Sequence, residues 1–134
     1  MKLRSFDHIV LTVASIEQTA AWYERVLGMQ RSSFGEGRVA LLFGDCKINL
    51  HPASQPYSPH ATTPIAGSAD ICFRTDLYSE TVVEHLRTCE VLVELGPVIR
   101  TGALGALSSL YVRDPDGNLI EIGSPVPSKP DDAR

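Results

Sequence analysis

The chain has 134 residues, an ordinary length for one domain, and we expect a single domain over residues 1–134. Its composition, 43% hydrophobic and 21% charged, is typical of a globular protein with its own core and excludes a disordered or collagen-like chain. The formal net charge of -4 provides no basic field for a phosphate backbone, so nucleic acid is not an expected partner.

The cysteines and the apolar runs indicate the cellular compartment in which the protein functions. The cysteine count is odd and contains no CxxC pair, which favours a reducing compartment; the three are Cys46, Cys72 and Cys89. The N-terminus meets Asp7 and His8 before an apolar stretch develops, so we expect no signal peptide. The longest apolar run, 39–43, is far shorter than the roughly 20 residues of a membrane span. We expect a cytoplasmic protein without a membrane partner.

The first half of the chain begins with a strand and a helix. Residues 6–13, FDHIVLTV, predict a strand in which alternate side chains share a face. Ser15 and Gln18 form a capping-box pattern, and the apolar side chains that follow recur at helical spacing as far as Gly28. The sequence therefore predicts an amphipathic helix directly after the first strand.

Three strands and a connector follow. Residues 38–43 and 46–51 are strand-like runs around a Gly-Asp turn, which predicts a hairpin, and 29–34 is a further candidate strand. Residues 52–67 contain four prolines, which favour an extended connector over a helix or a central strand.

The second half repeats this pattern. We predict a strand at 69–75, a helix at 79–90, and further strands at 91–94, 108–112 and 118–122, with a disordered tail from residue 124 to residue 134. Both halves therefore have the order βαβββ, over residues 5–51 and 68–123, and the predicted fold class is α+β.

Aligning the halves places metal-capable side chains at equivalent positions. FDHIVLTV laid on SADICFRT sets His8 against Asp70, while His51 and Glu121 close the two halves. Two imidazoles and two carboxylates suit a divalent Mn, Fe, Co, Ni or Zn ion. Asp70 is shorter than histidine, and it either reaches the ion or hydrogen-bonds one of its ligands. His51 shares its strand face with Asn49, which predicts a polar, hydrated cavity.

Two glycine-containing segments allow simpler interpretations. Residues 96–106, GPVIRTGALGA, predict either a mobile flap whose Arg100 reaches an anionic substrate group or a flexible surface loop with a solvated charge. Residues 114–117, DPDG, predict a turn that specifies the fold and carries no chemistry.

The paired halves, with DHIVLTV, INLH and RDPDGNLIEI, resemble the vicinal oxygen chelate superfamily over residues 6–123. That superfamily includes glyoxalase I, fosfomycin-resistance transferases, extradiol dioxygenases and bleomycin-resistance proteins. The segment RTGALGALSS is similar to the small branch of glyoxalase domain-containing protein 5. The resemblance implies a curved, U-shaped mixed sheet around a cavity and a homodimer.

The resemblance also implies a metal site. Ligands project from the first and last strands of each half, which here gives His8, His51, Asp70 and Glu121. Bacterial glyoxalase I has His, Glu, His and Glu at these positions, so the number of ligands is kept and their order is permuted. Extradiol dioxygenases have histidine where this chain has Asp70, which weakens that interpretation.

The leading prediction is a metal-dependent, glyoxalase-like lyase or isomerase that chelates two oxygens of a small substrate. Glu121 or Asp70 serves as the base, and Asn49 and Arg100 contact the substrate. One alternative is an Fe(II) ring-cleavage dioxygenase that uses His8, His51 and Glu121. A second alternative is a non-catalytic small-molecule-binding protein of the bleomycin-resistance type. Whether each site lies within one chain or across a dimer stays open.

Overall fold

The computed structural model describes residues 1–126, which form two helices and eight strands. In chain order the elements are β1 (His8–Val13), α1 (Ile16–Leu27), β2 (Gln30–Phe34), β3 (Arg38–Phe43), β4 (Cys46–Pro52), β5 (Asp70–Arg74), α2 (Ser79–Thr88), β6 (Leu95–Gly102), β7 (Gly105–Arg113) and β8 (Leu119–Pro125).

The chain divides into two compact units, and each contains one βαβββ module. The first unit comprises Met1–Ala69 with Asp114–Asn118, and the second comprises Asp70–Arg113 with the chain from Leu119. Each unit has a four-stranded sheet, in the order β1-β4-β3-β2 or β5-β8-β7-β6. The first and last strands of each module are parallel and the other pairs are antiparallel. The predicted α+β class and the two modules are therefore confirmed.

The helix of the first unit has the predicted ends. The Ser15 hydroxyl accepts the Gln18 backbone N–H at 3.1 Å, and Gly28 ends the helix at φ 67° with its N–H on the Glu24 carbonyl. Its buried side chains include Tyr23, which is fully inaccessible, and Val26. Helix α1 therefore packs on one face of the first sheet and leaves the other face for polar residues.

The strand register defines that polar face of the first sheet. His8 pairs with Lys47, Val10 with Asn49 and Thr12 with His51, and paired residues project to the same side of a sheet. The intervening side chains of β1 and β4 form the apolar face; Leu11, Val13, Ile48 and Leu50 are all buried. The alternation predicted for residues 6–13 is confirmed.

The second sheet is organised in the same way. Helix α2 buries Val82 and Leu86, and Ile120 of β8 is fully buried on the apolar face. On the polar face, Glu121 pairs with Cys72 of β5 and with Tyr111 of β7. In the first unit, strand β4 ends at Pro52. Residues 53–69 contain neither helix nor strand, as their prolines predict.

The predicted loop at 96–106 is wrong, because these residues form a hairpin of β6 and β7. Gly102 pairs with Gly105, which leaves a two-residue turn between the strands. A Cβ at Gly102 would lie 2.7 Å from the Gly105 carbonyl oxygen, so this glycine permits a close approach of two backbones. The strand predicted at 91–94 is also wrong, since the strand begins at Leu95.

The last strand is longer than predicted. Strand β8 runs through Pro125, two residues into the predicted tail, and residues 127–134 of that tail lie outside the described residues. Within residues 1–126, neither helix is long and apolar enough to cross a membrane.

The turn at Asp114–Asn118 has the structural role that its sequence predicts. The buried Asp114 carboxylate accepts the backbone N–H groups of Asp116 and Asn118 at 2.9 and 3.0 Å, and Gly117 adopts φ 84°. The Tyr23 hydroxyl donates a 2.7 Å hydrogen bond to the same carboxylate. Burial and the charge of Asp114 raise the pKa of Tyr23 far above its usual value, so this phenol stays protonated. The network anchors the turn to α1 within the first unit.

Candidate functional site

His8 lies at the start of β1 and is exposed to solvent. Its Nδ1 is 2.7 Å from the Asp7 carboxylate. In the tautomer that donates to Asp7, Nε2 keeps its lone pair, which is the arrangement common among metal-binding histidines. His8 can therefore offer one nitrogen ligand.

His51 lies at the other end of the same polar face. It pairs with Thr12, four residues along β1 from His8, which corresponds to about 13 Å at the rise of a strand. The first unit therefore does not bring the two histidines together. His51 is only 4% exposed, and its buried Nδ1 has no hydrogen-bond partner. Burial, followed by the positive charges of Arg38 and His60, lowers the pKa of His51.

Asn49 lies between the two histidines on this face. It pairs with Val10 of β1 and Ala40 of β3, and its buried Oδ1 has no hydrogen-bond partner. Buried polar atoms are rarely left unpaired, so the amide is available to a bound molecule. Its predicted role in substrate binding stays a prediction.

Two cations and two aromatic rings complete this face. The Arg38 guanidinium lies 4.3 Å from the centre of the Tyr57 ring and 5.8 Å from that of Phe34, and Lys47 Nζ lies 4.2 Å from the Phe34 ring centre. The Tyr57 ring also meets His51 edge to face at 5.1 Å. Sequence analysis did not single out Arg38, Phe34 or Tyr57, although β-strand alternation places Arg38 and Phe34 on the polar face.

In the second unit, Glu121 is held by a neighbouring strand. The fully buried Ser109 donates a hydrogen bond from Oγ to Glu121 Oε2 at 2.7 Å. Asp70 pairs with Leu119, which precedes Glu121 by two residues on β8. The side chains of Asp70 and Glu121 therefore project from the same face, at positions about 7 Å apart along the strand direction. The structure therefore places Asp70 and Glu121 as neighbours.

Cys72 lies directly across from Glu121 in the β5–β8 pair and two residues from Asp70 on β5. Although the residue as a whole is exposed, desolvation of the thiol and the negative charge of Glu121 raise its pKa to about 11. A thiol with that pKa stays protonated at neutral pH and is a poor nucleophile. The chemistry of this face therefore belongs to the carboxylates.

Arg100 lies on β6 and is fixed by a strand partner. Its Nε donates a 3.0 Å hydrogen bond to the Tyr111 hydroxyl, and Tyr111 pairs with Glu121. Since Arg100 is exposed and on the same face as Glu121, it is available to a substrate anion without movement of a loop. That role stays a prediction.

No group of three His, Cys, Asp or Glu side chains within residues 1–126 is arranged to hold a metal ion. Three of the predicted ligands nevertheless have donor atoms that suit a metal ion: His8 has an available ring nitrogen, and Asp70 and Glu121 offer carboxylate oxygens. The joint metal role of His8, His51, Asp70 and Glu121 stays a prediction.

Comparisons with known proteins identify the family of the chain. The model of the Glyoxalase/Bleomycin resistance protein/Dioxygenase superfamily matches residues 5–122. The virulence protein STM3117 of Salmonella typhimurium strain LT2 is 47% identical over 122 residues, which are 91% of this chain and 85% of that protein. An integron cassette protein from the mobile metagenome of V. cholerae is 50% identical, with a TM-score of 0.91 over 94% of this chain and 98% of that one.

A more distant structure extends the comparison. Lactoylglutathione lyase from Agrobacterium tumefaciens has a TM-score of 0.70 at 21% identity, over 92% of this chain and 96% of that one, and this likeness concerns the fold alone. The family model covers nearly the whole described chain, and the paired βαβββ modules agree with it. The chain belongs to the glyoxalase/bleomycin resistance protein/dioxygenase superfamily, also called the vicinal oxygen chelate superfamily.

Proposed function

We propose that the protein is a metal-dependent lyase or isomerase that moves a proton on a small substrate with two adjacent oxygens. The observation that carries this proposal is the hydrogen bond from buried Ser109 to Glu121, beside Asp70 on the same polar face. A carboxylate that is fixed at one oxygen can present the other in a constant position. Proton transfer depends on that constancy.

The metal ligands that we propose are His8, Asp70 and Glu121. One imidazole and two carboxylates suit divalent Mn, Fe, Co, Ni or Zn, and the Asp7 contact orients the His8 ring as a ligand requires. We assign His51 to ligand binding instead. Its register partner is Thr12, four positions from His8 along β1, and the positive charge of Arg38 near its ring disfavours a bound cation.

When bound, the ion would act as a Lewis acid toward the two oxygens of the substrate. A carboxylate bound to a cation is a weak base, so Glu121 would act as the base only where the substrate oxygens replace it as a ligand of the ion. Glu121 then accepts a proton from the carbon that carries one of those oxygens, and the electron pair of the broken C–H bond is delocalised onto the adjacent carbonyl group. Return of that proton from Glu121 to the neighbouring carbon, together with transfer of the hydroxyl proton from one substrate oxygen to the other, completes the isomerisation. Ser109 keeps the carboxylate in place, and Cys72 remains a neutral thiol.

The test is exchange of the substrate C–H with solvent deuterium, followed by NMR. The probes are a thiol adduct of a 2-oxoaldehyde and a simple 2-hydroxyketone, each with added Mn, Co, Ni or Zn. We expect the wild type to catalyse exchange and Glu121→Gln to lose it. The control is Glu94→Gln, which removes a carboxylate paired with Arg113 elsewhere in the second unit. Equal exchange by Glu121→Gln and the wild type would refute the role of Glu121.

The dioxygenase alternative has less support. Its ligand set pairs His8 with His51, and the register separates these residues by four positions along the sheet. Oxygen uptake with catechol-type substrates and Fe(II) separates the two functions, and we expect none.

A further inference from the structure

We propose that Arg38, Lys47 and His51 form an anion-binding subsite on the polar face of the first sheet. Its ligand is the carboxylate, phosphonate or phosphate group of a small organic molecule. The proposal rests on the proposed function in treating this face as part of the substrate-binding surface, and it specifies the class of substrate: a small organic anion.

Two positive charges of the subsite lie at one aromatic ring. Arg38 and Lys47 both lie over the ring of Phe34, with the guanidinium carbon and Nζ at 5.8 and 4.2 Å from its centre. In the part of the chain that the structure describes, neither has a carboxylate oxygen within ion-pair distance. Both charges lie within about 6 Å of one ring centre and repel each other, and a bound anion would relieve that repulsion.

A buried side chain of the subsite contains a polar atom that no described residue pairs. His51 is 4% exposed, and its Nδ1 makes no hydrogen bond with the described residues. An unpaired buried polar atom is destabilising, and a ligand oxygen that accepts a hydrogen bond from Nδ1–H would provide the missing partner. Arg38 and His51 both contact the Tyr57 ring, at 4.3 and 5.1 Å from its centre, so these two donors border the same aromatic side chain.

A cleft lies beside these charges. Tyr57 also lines an open cleft of about 540 Å³, whose other walls are Pro52, Ser54, Gln55, Pro56 and Ser58. That volume is within the range of small-molecule sites. The wall contains prolines and an aromatic ring and no charged side chain. The cleft therefore suits the uncharged body of a ligand whose anionic group meets Arg38.

The test is an NMR titration of the 15N-labelled chain of 134 residues with phenylphosphonate, and with benzyl alcohol as the neutral comparison. We expect phenylphosphonate to shift the signals of residues 34–58 at concentrations where benzyl alcohol does not. Arg38→Gln and Lys47→Gln should each raise the Kd about tenfold, the loss of one charge-assisted hydrogen bond. Arg38→Lys should retain part of the affinity, since it keeps the charge and loses the planar fork.

A matched control removes a charge elsewhere. Arg87→Gln breaks an exposed pair with Glu84 on α2 and should leave the Kd unchanged. Melting curves establish that each variant is folded, and Lys47→Gln is the reference variant if Arg38→Gln unfolds. Shifts confined to the second unit, or a Kd that neither substitution at Arg38 and Lys47 changes, would overturn the proposal.

The titration is repeated after treatment with EDTA to separate this proposal from the metal proposal. We expect the same Kd, because the three donors belong to protein side chains of the first sheet. Loss of deuterium exchange with retained phenylphosphonate binding would contradict the proposed function alone. Binding that requires an added metal and ignores Arg38 would contradict the anion subsite alone.

Discussion

Ser109 and Glu121 are joined by a 2.7 Å hydrogen bond between the neighbouring strands β7 and β8. The preceding residue, Ser108, projects to the opposite face of the sheet, where its hydroxyl lies 2.6 Å from that of Ser79. Two consecutive serines thus serve different faces: one positions the candidate base, and the other joins the sheet to α2.

This pair of serines provides a matched comparison. Ser109→Ala removes the group that orients Glu121, and loss of such a supporting hydrogen bond typically costs about 10–100-fold in metal affinity or activity. We expect that loss for Ser109→Ala, measured as the metal Kd and the rate of deuterium exchange. Ser108→Ala should lower the melting temperature and leave both quantities near the wild-type values. Equal functional losses in the two variants would mean that the Ser109 effect is structural.

Tyr23 is expected to stabilise the first unit through Asp114. Tyr23→Phe removes the 2.7 Å hydrogen bond and leaves the buried carboxylate with fewer partners, which should lower the free energy of unfolding by about 1–3 kcal/mol. Urea unfolding measures this value. The control is Tyr78→Phe, at a position that is 52% exposed, where little change is expected. A similar loss in both variants would contradict the assigned role.

Stability should fall as the pH drops below about 6.5, because the pKa of His51 is lowered in the folded state by burial and by Arg38 and His60. Above pH 6.5 the imidazole is neutral in both states and costs nothing. As the pH falls through this value, the unfolded chain binds a proton that the folded chain resists, so unfolding becomes easier.

The measurement for this prediction is the melting temperature between pH 7.5 and pH 5. We expect His51→Gln to lose less stability over this range than the wild type, since glutamine does not titrate. His85→Gln, on the surface helix α2, is the comparison variant. An unchanged pH slope in His51→Gln would show that other groups dominate the acid response.

Much of the fold follows from local sequence signals. Ser15 and Gly28 mark the ends of α1 because capping depends on neighbouring residues, and strand alternation correctly assigns the two faces of β1. The sequence did not predict the hairpin of β6 and β7, because the glycines of residues 96–106 favour a flexible loop. Gly102 instead permits close backbone approach, a property of the paired strands that the local sequence does not reveal.

The site was less predictable because it depends on register. Matching the two halves identified His8 and His51 as equivalent to Asp70 and Glu121, but such a match says nothing about position along paired strands. The register places Asp70 and Glu121 two residues apart and His8 and His51 four apart. Ser109 was missed for the same reason, since only the β7–β8 pairing brings it to Glu121.

The central claim, a metal held by Glu121 in a proton-transferring site, is tested most directly by the metal content per chain. Untagged protein, purified without chelator and incubated separately with Mn, Co, Ni, Zn and anaerobic Fe(II), is analysed for bound metal. We predict about one ion per chain in the wild type and in His51→Gln, and loss of that ion in Glu121→Gln. A wild type that retains none of these ions, or a Glu121→Gln variant that retains its ion, would contradict the account.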